Sequence, residues 1–121
     1  MEKGSFMDTS FKIARGELDL VKNVNLDFDK INGSHLQGHI HTTYANLVNK
    51  LGKPHIEHRD SKVDVEWSIE FNNGTIATIY NYKDGVAYLG KEGTPTEKIT
   101  DWHIGGHNKK ALEYVHWLLS D

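Results

Sequence analysis

Residues 62–82, KVDVEWSIEFNNGTIATIYNY, alternate apolar and polar side chains on both sides of Asn73-Gly74. An Asn-Gly pair between two alternating runs is the strongest short-range signal for a β-hairpin closed by a two-residue type I′ turn. With that turn, Phe71 is expected opposite Ile76, Ile69 opposite Thr78, Trp67 opposite Tyr80 and Val65 opposite Tyr82. Successive side chains on a strand point to opposite faces. Val65, Trp67, Ile69, Phe71, Ile76, Tyr80 and Tyr82 are therefore predicted to share one core-forming surface. Lys62, Asp64, Glu66, Ser68, Glu70, Ala77, Ile79, Asn81 and Lys83 would occupy the other, polar enough to be solvated or to bind a ligand.

The flanking segments supply partners for that hairpin. Residues 1–10 are polar and read as a flexible tail, so that 11–121 form one domain. Residues 24–31 alternate and are expected to be a strand, followed by a turn at Asn32-Gly33-Ser34. HLQGHIH (35–41) reads as a strand containing Gly38. Thr42 or Thr43 then caps a helix over about 43–51 with the stripe Tyr44, Leu47, Val48 and Leu51, which Gly52 and Pro54 terminate. Residues 86–89 are expected to be a third strand after a Lys83-Asp84-Gly85 turn, 90–96 a loop, and 99–104 the last strand. Gly105-Gly106 opens a second helix over about 107–120, striped by Ala111, Leu112, Val115, Leu118 and Leu119. The predicted fold is α+β: an antiparallel sheet of four or five strands, built on the central hairpin, with two helices on one face.

Composition excludes several classes. The 121 residues suffice for one core, and 37% hydrophobic with 26% charged residues is ordinary for a globular chain. No run of about twenty apolar residues occurs, so no membrane partner is expected. There is no cysteine, hence no disulfide framework or thiol catalyst, and the N-terminus lacks a secretory apolar segment; a cytoplasmic protein is expected. A net charge of −3 argues against a nucleic-acid partner, although a small anion needs only a local cluster of donors.

Trp102-His103-Ile104-Gly105-Gly106-His107 is the segment richest in chemical possibilities. A strand passing through two glycines into a helix would aim backbone N–H groups at an anion held at the helix N-terminus. Gly105, Gly106 and the His107 amide would hold phosphate, Lys109 or Lys83 would add charge, and Trp102 or Tyr44 would stack on a base. The alternative is a tight strand–helix junction with Trp102 in the core. Glu66, beside Trp67 and with Asn81 across the hairpin, is placed to accept from a ribose diol, whereas Asp64 and Glu70 read as a solvated face.

The eight histidines offer other chemistry. His39-x-His41 puts two imidazoles on one side of a strand, to which His35, Glu66 or His103 would add a third metal ligand. His55-x-x-His58, expected in a loop, and His103-x3-His107 match no known zinc spacing. Surface histidines account for the pattern without a metal, and neither a metal nor a cofactor is expected. His41-Thr42-Thr43 contains one His-x-Thr element, of which two-histidine phosphoesterases need two; helix capping explains the threonines better. No convincing catalytic set emerges.

LQGHI-x-TTY-x-x-LV, the LGKP helix end, KVDVEW-x-I-x-F-x-x-GT-x-ATIY-x-x-K and WHIGG before a final helix together resemble a widespread family of small bacteriophage proteins, over about Leu36 to Leu119. The resemblance makes Tyr44, Lys62, Glu66, Trp67, Tyr80, Lys83, Trp102, Gly105 and Gly106 signature positions. In size and context the chain is similar to phage immune-signal sponges. That likeness implies sequestration of a nucleotide-derived signal, a cyclic ADP-ribose isomer or a cyclic dinucleotide, by a homodimer or larger assembly in the infected bacterial cytoplasm. Two alternatives remain open: a phosphodiesterase using His41, His39 or His103 as acid/base, and an inhibitor that binds a host protein through the acidic strand face.

Overall fold

A computed structural model gives the protein's structure over residues 21–23, 31–54, 56–60 and 62–119. The strands are β1 (Val21–Asn23), β2 (His35–His41), β3 (Ile56–Asp60), β4 (Val63–Phe71), β5 (Ile76–Tyr80) and β6 (Asp101–Gly106). The helices are α1 (Tyr44–Leu51), the single turn α2 (Val86–Leu89) and α3 (Lys110–Leu119). The expected tail at 1–10 and, apart from Ile31, the expected strand at 24–31 lie outside the described residues.

The central hairpin β4–β5 closes over three residues rather than two. Gly74 N–H donates to the Phe71 carbonyl at 2.9 Å, and Phe71 N–H donates to the Thr75 carbonyl at 2.9 Å. Gly74 takes φ 92°, the left-handed conformation that ends a three-residue hairpin loop. Asn73 does not pair with Gly74 in a type I′ turn; its Oδ1 accepts from Thr75 N–H at 3.1 Å and its Nδ2 donates to the Tyr114 hydroxyl at 3.1 Å. The extra loop residue shifts the register by one, to Glu70↔Ile76, Trp67↔Ile79 and Glu66↔Tyr80. A one-residue slip exchanges the faces of a whole strand. Ala77 and Ile79 thus join Trp67, Ile69 and Phe71 in the core, correcting the expected pairing, and Thr78 and Tyr80 move to the face of Glu66.

Among the described residues the named strands pair antiparallel in the order β1-β4-β5-β6-β2, with β3 also on β4. β1 pairs with residues 69–71 of β4 and β3 with its 63–66 end, so two short strands share one long edge. β3 occupies a stretch expected to be a loop. The helices α1 and α3 pack on the apolar face, over Trp67, Ile69, Ile79, Trp102 and Ile104, each fully buried. The α+β architecture, with an antiparallel sheet and two helices on one face, is as the sequence predicts.

α1 starts where expected: the Thr43 hydroxyl accepts from Asn46 N–H at 3.0 Å, and Gly52 (φ 86°) closes the helix by donating to the Val48 carbonyl. Other boundaries differ, and α3 begins at Lys110 rather than near 107. Residues 86–89 form a helical turn instead of a third strand. The Gly85 carbonyl accepts from both Tyr88 and Leu89, while Ala87 N–H donates to the buried Asp64 carboxylate, so three of the segment's four N–H groups are paired without a neighbouring strand. The last strand begins two residues later than expected and runs through both glycines, pairing Gly105 with Leu36 and Thr78, and Gly106 with His35. A Cβ on Gly106 would stand 2.4 Å from that of Ala111, so glycine there lets α3 lie directly on the sheet. Among the described residues no helix is long and apolar enough to cross a membrane.

Candidate functional site

The face of the sheet opposite α1 and α3 carries the polar chemistry. From β4 come Glu66 and Ser68, from β5 Thr78 and Tyr80, from β6 Asp101, His103 and Gly105, and from β2 His39 and His41, placed together by the registers Glu66↔Tyr80↔His103↔His39. Glu66 is only 2% exposed and Thr78 6%. Both line a cavity of about 310 Å³, with Tyr80, Gly105, His35 and the 31–34 loop completing its wall. Gly105 helps create it: a Cβ there would meet Thr78 Oγ1 at 2.6 Å and the Tyr80 ring at 3.5 Å.

Beside the cavity stands an aromatic and imidazole cluster. His103 has ring centroids at 5.4 Å from both Tyr80 and Tyr82 and at 4.3 Å from His39. His39 Nδ1 lies 3.3 Å from Asp101 Oδ1, and His41 Nδ1 3.9 Å from the same oxygen. Burial, together with the neighbouring His39, lowers the His103 pKa below the ordinary 6.5, while Asp101 and Asp84 oppose that shift. His103 is thereby biased toward neutral imidazole, the form that serves as a ligand or a base. Lys83, in a left-handed conformation (φ 63°), holds its Nζ over the rings of Tyr82 and Tyr88 at 5.4 and 5.5 Å.

The predicted site residues divide by location. Glu66 and Gly105 meet in the cavity; His103 touches its Tyr80 wall, and Lys83 reaches that cluster through Tyr82. Trp102 and Tyr44 lie on the opposite face. Trp102 is completely buried and Tyr44 packs on Trp67 at 5.9 Å, which removes Trp102 as a base-stacking surface. Gly106 is covered by Ala111. His107 lines a separate cavity of about 220 Å³ with Asn73, Thr75 and Asn108, and Lys109 is exposed near the start of α3.

The expected anion cradle is corrected too. The glycines belong to β6, and the start of α3 is capped by Asn108, whose side chain accepts from Lys110 N–H at 2.9 Å and whose carbonyl accepts from Ala111 N–H at 3.1 Å. Asn108 was absent from the predicted site, as were Tyr80, Thr78, His35 and Asp101. A three-residue turn would have put Tyr80 and Thr78 beside Glu66, and the Asp101-x-His103 spacing mirrors His39-x-His41 across the strand pair. The arrangement offers a buried carboxylate, hydroxyls and an aromatic face to a small polar ligand. Compared with protein-family models and with curated protein sequences, the chain matches none.

Proposed function

We propose that the protein binds a small, hydroxyl-rich ligand of the nucleoside or ADP-ribose type in the 310 Å³ cavity and holds it without converting it. The observation that carries this reading is the Glu66 carboxylate, 2% exposed yet lining a cavity walled by Tyr80, Thr78 and Gly105. A buried carboxylate accepts strongly from a diol, and a tyrosine ring covers a sugar or a base at little entropic cost. The volume is at the lower end of ligand pockets, about 300–1,000 Å³. It suits one nucleoside-sized moiety per chain, and a dinucleotide messenger would engage two copies. The exposed apolar side chains of Tyr82, Val86, Tyr88 and Leu89 support self-association for that purpose. Sequestration of a phage-infected cell's nucleotide signal, implied by the likeness in size and context to phage immune-signal sponges, is the biological form of this proposal.

The test is mass spectrometry of small molecules released from the purified protein after exposure to lysate of cells with an activated nucleotide-signalling defence. An intact nucleotide or nucleoside at near-stoichiometric yield, lost in Glu66→Gln, is expected. An altered product would replace binding by hydrolysis, and an empty protein would overturn the reading.

A further inference from the structure

We infer that His39, Asp101 and His103 form a binding site for a first-row divalent transition ion of the Zn²⁺ type. The site follows from register. His39 stands directly opposite His103 and His41 directly opposite Asp101 in the β2–β6 pair, so the i, i+2 spacing on each strand builds a block of four donors on one face. The ligand atoms of His39, Asp101 and His103 all lie within 4.8 Å of one another. Donors bound at about 2.0–2.1 Å in a tetrahedral site stand about 3.3 Å apart. His39 Nδ1 and Asp101 Oδ1 already have that spacing, at 3.3 Å.

A metal-free ion pair explains less. Between side chains exposed by 44% and 46%, a His39–Asp101 pair contributes little. It also gives no role to His103, whose ring lies 4.3 Å from that of His39 and tilts 56° to it. Two imidazoles at this distance repel when protonated, whereas one cation between their lone pairs uses both. Tyr80 and Tyr82, each 5.4 Å from His103, pack beside its ring and limit its freedom.

Donor chemistry selects the ion. Two imidazole nitrogens and one carboxylate favour Zn²⁺, Co²⁺ or Ni²⁺ over Ca²⁺ and Mg²⁺, which take mostly oxygen. Three protein ligands leave at least one position for water or for His41, whose Nδ1 is 3.9 Å from Asp101 Oδ1.

The experiment uses the full chain without an affinity tag, stripped by chelator and titrated with Zn²⁺ alone in a calorimeter. One equivalent per chain is expected. Asp101→Asn and His103→Gln should each weaken binding by at least the roughly 10–100-fold typical of changes around a metal. His107→Gln and His116→Gln should leave it unchanged. Asp101 is half exposed, so its variant should keep the fold whatever becomes of His103→Gln. Substoichiometric Co²⁺ added to the unaltered protein provides a second readout: the imidazole NMR signals of His39, His103 and the adjacent His41 should broaden before those of the other histidines. No binding of Zn²⁺, binding indifferent to Asp101→Asn, or Co²⁺ broadening that starts at other histidines would each overturn the assignment.

Discussion

Trp67 and Trp102 meet edge to face at 5.6 Å, and their indole N–H groups hold opposite ends of α1. Trp67 donates to the Gly52 carbonyl at 2.8 Å, just past the helix, and Trp102 to the Thr42 carbonyl at 3.0 Å, just before it. An eight-residue helix is marginal alone. These two bonds, with Leu47 and Leu51 buried beneath it, tie α1 to strands β4 and β6. Replacing Trp67 by Phe leaves the buried Gly52 carbonyl without this donor and should cost about 1–3 kcal/mol, and Trp102→Phe, which strips a half-buried carbonyl, should cost less. Urea denaturation would check this, and a cost near zero for both variants would refute the latch.

Asn81 should be even less replaceable. Its Oδ1 accepts from Asp64 N–H at 2.9 Å and Val65 N–H at 3.2 Å, and its Nδ2 donates to Asp64 Oδ1 and Asp84 Oδ1. The side chain thus continues the ladder along β4 beyond the end of β5, and is fully buried. Asn81→Ala strands several of these groups and is expected to lower stability by at least about 2 kcal/mol. Asn81→Asp should also destabilise, because it sets a carboxylate against Asp64 and Asp84. Thermal melts of the two variants would show it.

The adjacent glycines of β6 should respond differently to alanine. At Gly106 the new methyl would meet Ala111 Cβ at 2.4 Å and the Ile76 carbonyl at 3.2 Å, neither of which can swing away. Overpacking of this kind costs about 1–3 kcal/mol. At Gly105 the nearest atom is the Thr78 hydroxyl, at 2.6 Å, and the methyl enters the cavity wall. Gly105→Ala should therefore lose less stability than Gly106→Ala but more ligand affinity, a reversal that melting and binding measurements together would reveal.

His103 sets a pH dependence whose sign is fixed by its surroundings. In chelator-treated protein its NMR titration should fall below 6.5. The unfolded chain then takes up the proton first as pH drops. This contribution to stability is complete above about pH 6.5 and is lost as pH falls toward the folded value. Tyr80, Tyr82, His39, Asp101 and Asp84 surround the ring electrostatically or by contact. His39→Gln should raise the His103 value and Asp101→Asn should lower it further; no movement in either variant would show that burial alone governs it.

Much of this molecule could be read from local pattern. The α1 cap at Thr43, its stop at Gly52 and most of the apolar stripe of α3 depend on neighbours within one or two turns and appear where the sequence places them, with Tyr114 buried in addition. So do the hairpin and the α+β class. Glu66 stands out in the sequence as a carboxylate amid aromatics, and it lines the candidate cavity; Gly105 lines it too, but as part of β6 and not as the helix opening that the sequence suggests.

The partners of those residues were decided elsewhere. Asn-Gly permits more than one hairpin loop, and the choice of three residues is settled by contacts far along the chain: Asn73 bonding to Tyr114 on α3, and Ile79 rather than Tyr80 facing Trp67. That single step moved Tyr80 and Thr78 into the cavity. In the same way Val86-Ala87-Tyr88-Leu89 has strand-like composition, but the Asp64 carboxylate accepts from Ala87 N–H and the segment forms a helical turn. Trp102 reads as a candidate for base stacking until the register with Ile40 turns it inward beneath α1. Short-range chemistry determined which segments became strands and helices. Registry, a long-range packing property with a period of two residues, determined which face each side chain joined, and with it the composition of the site.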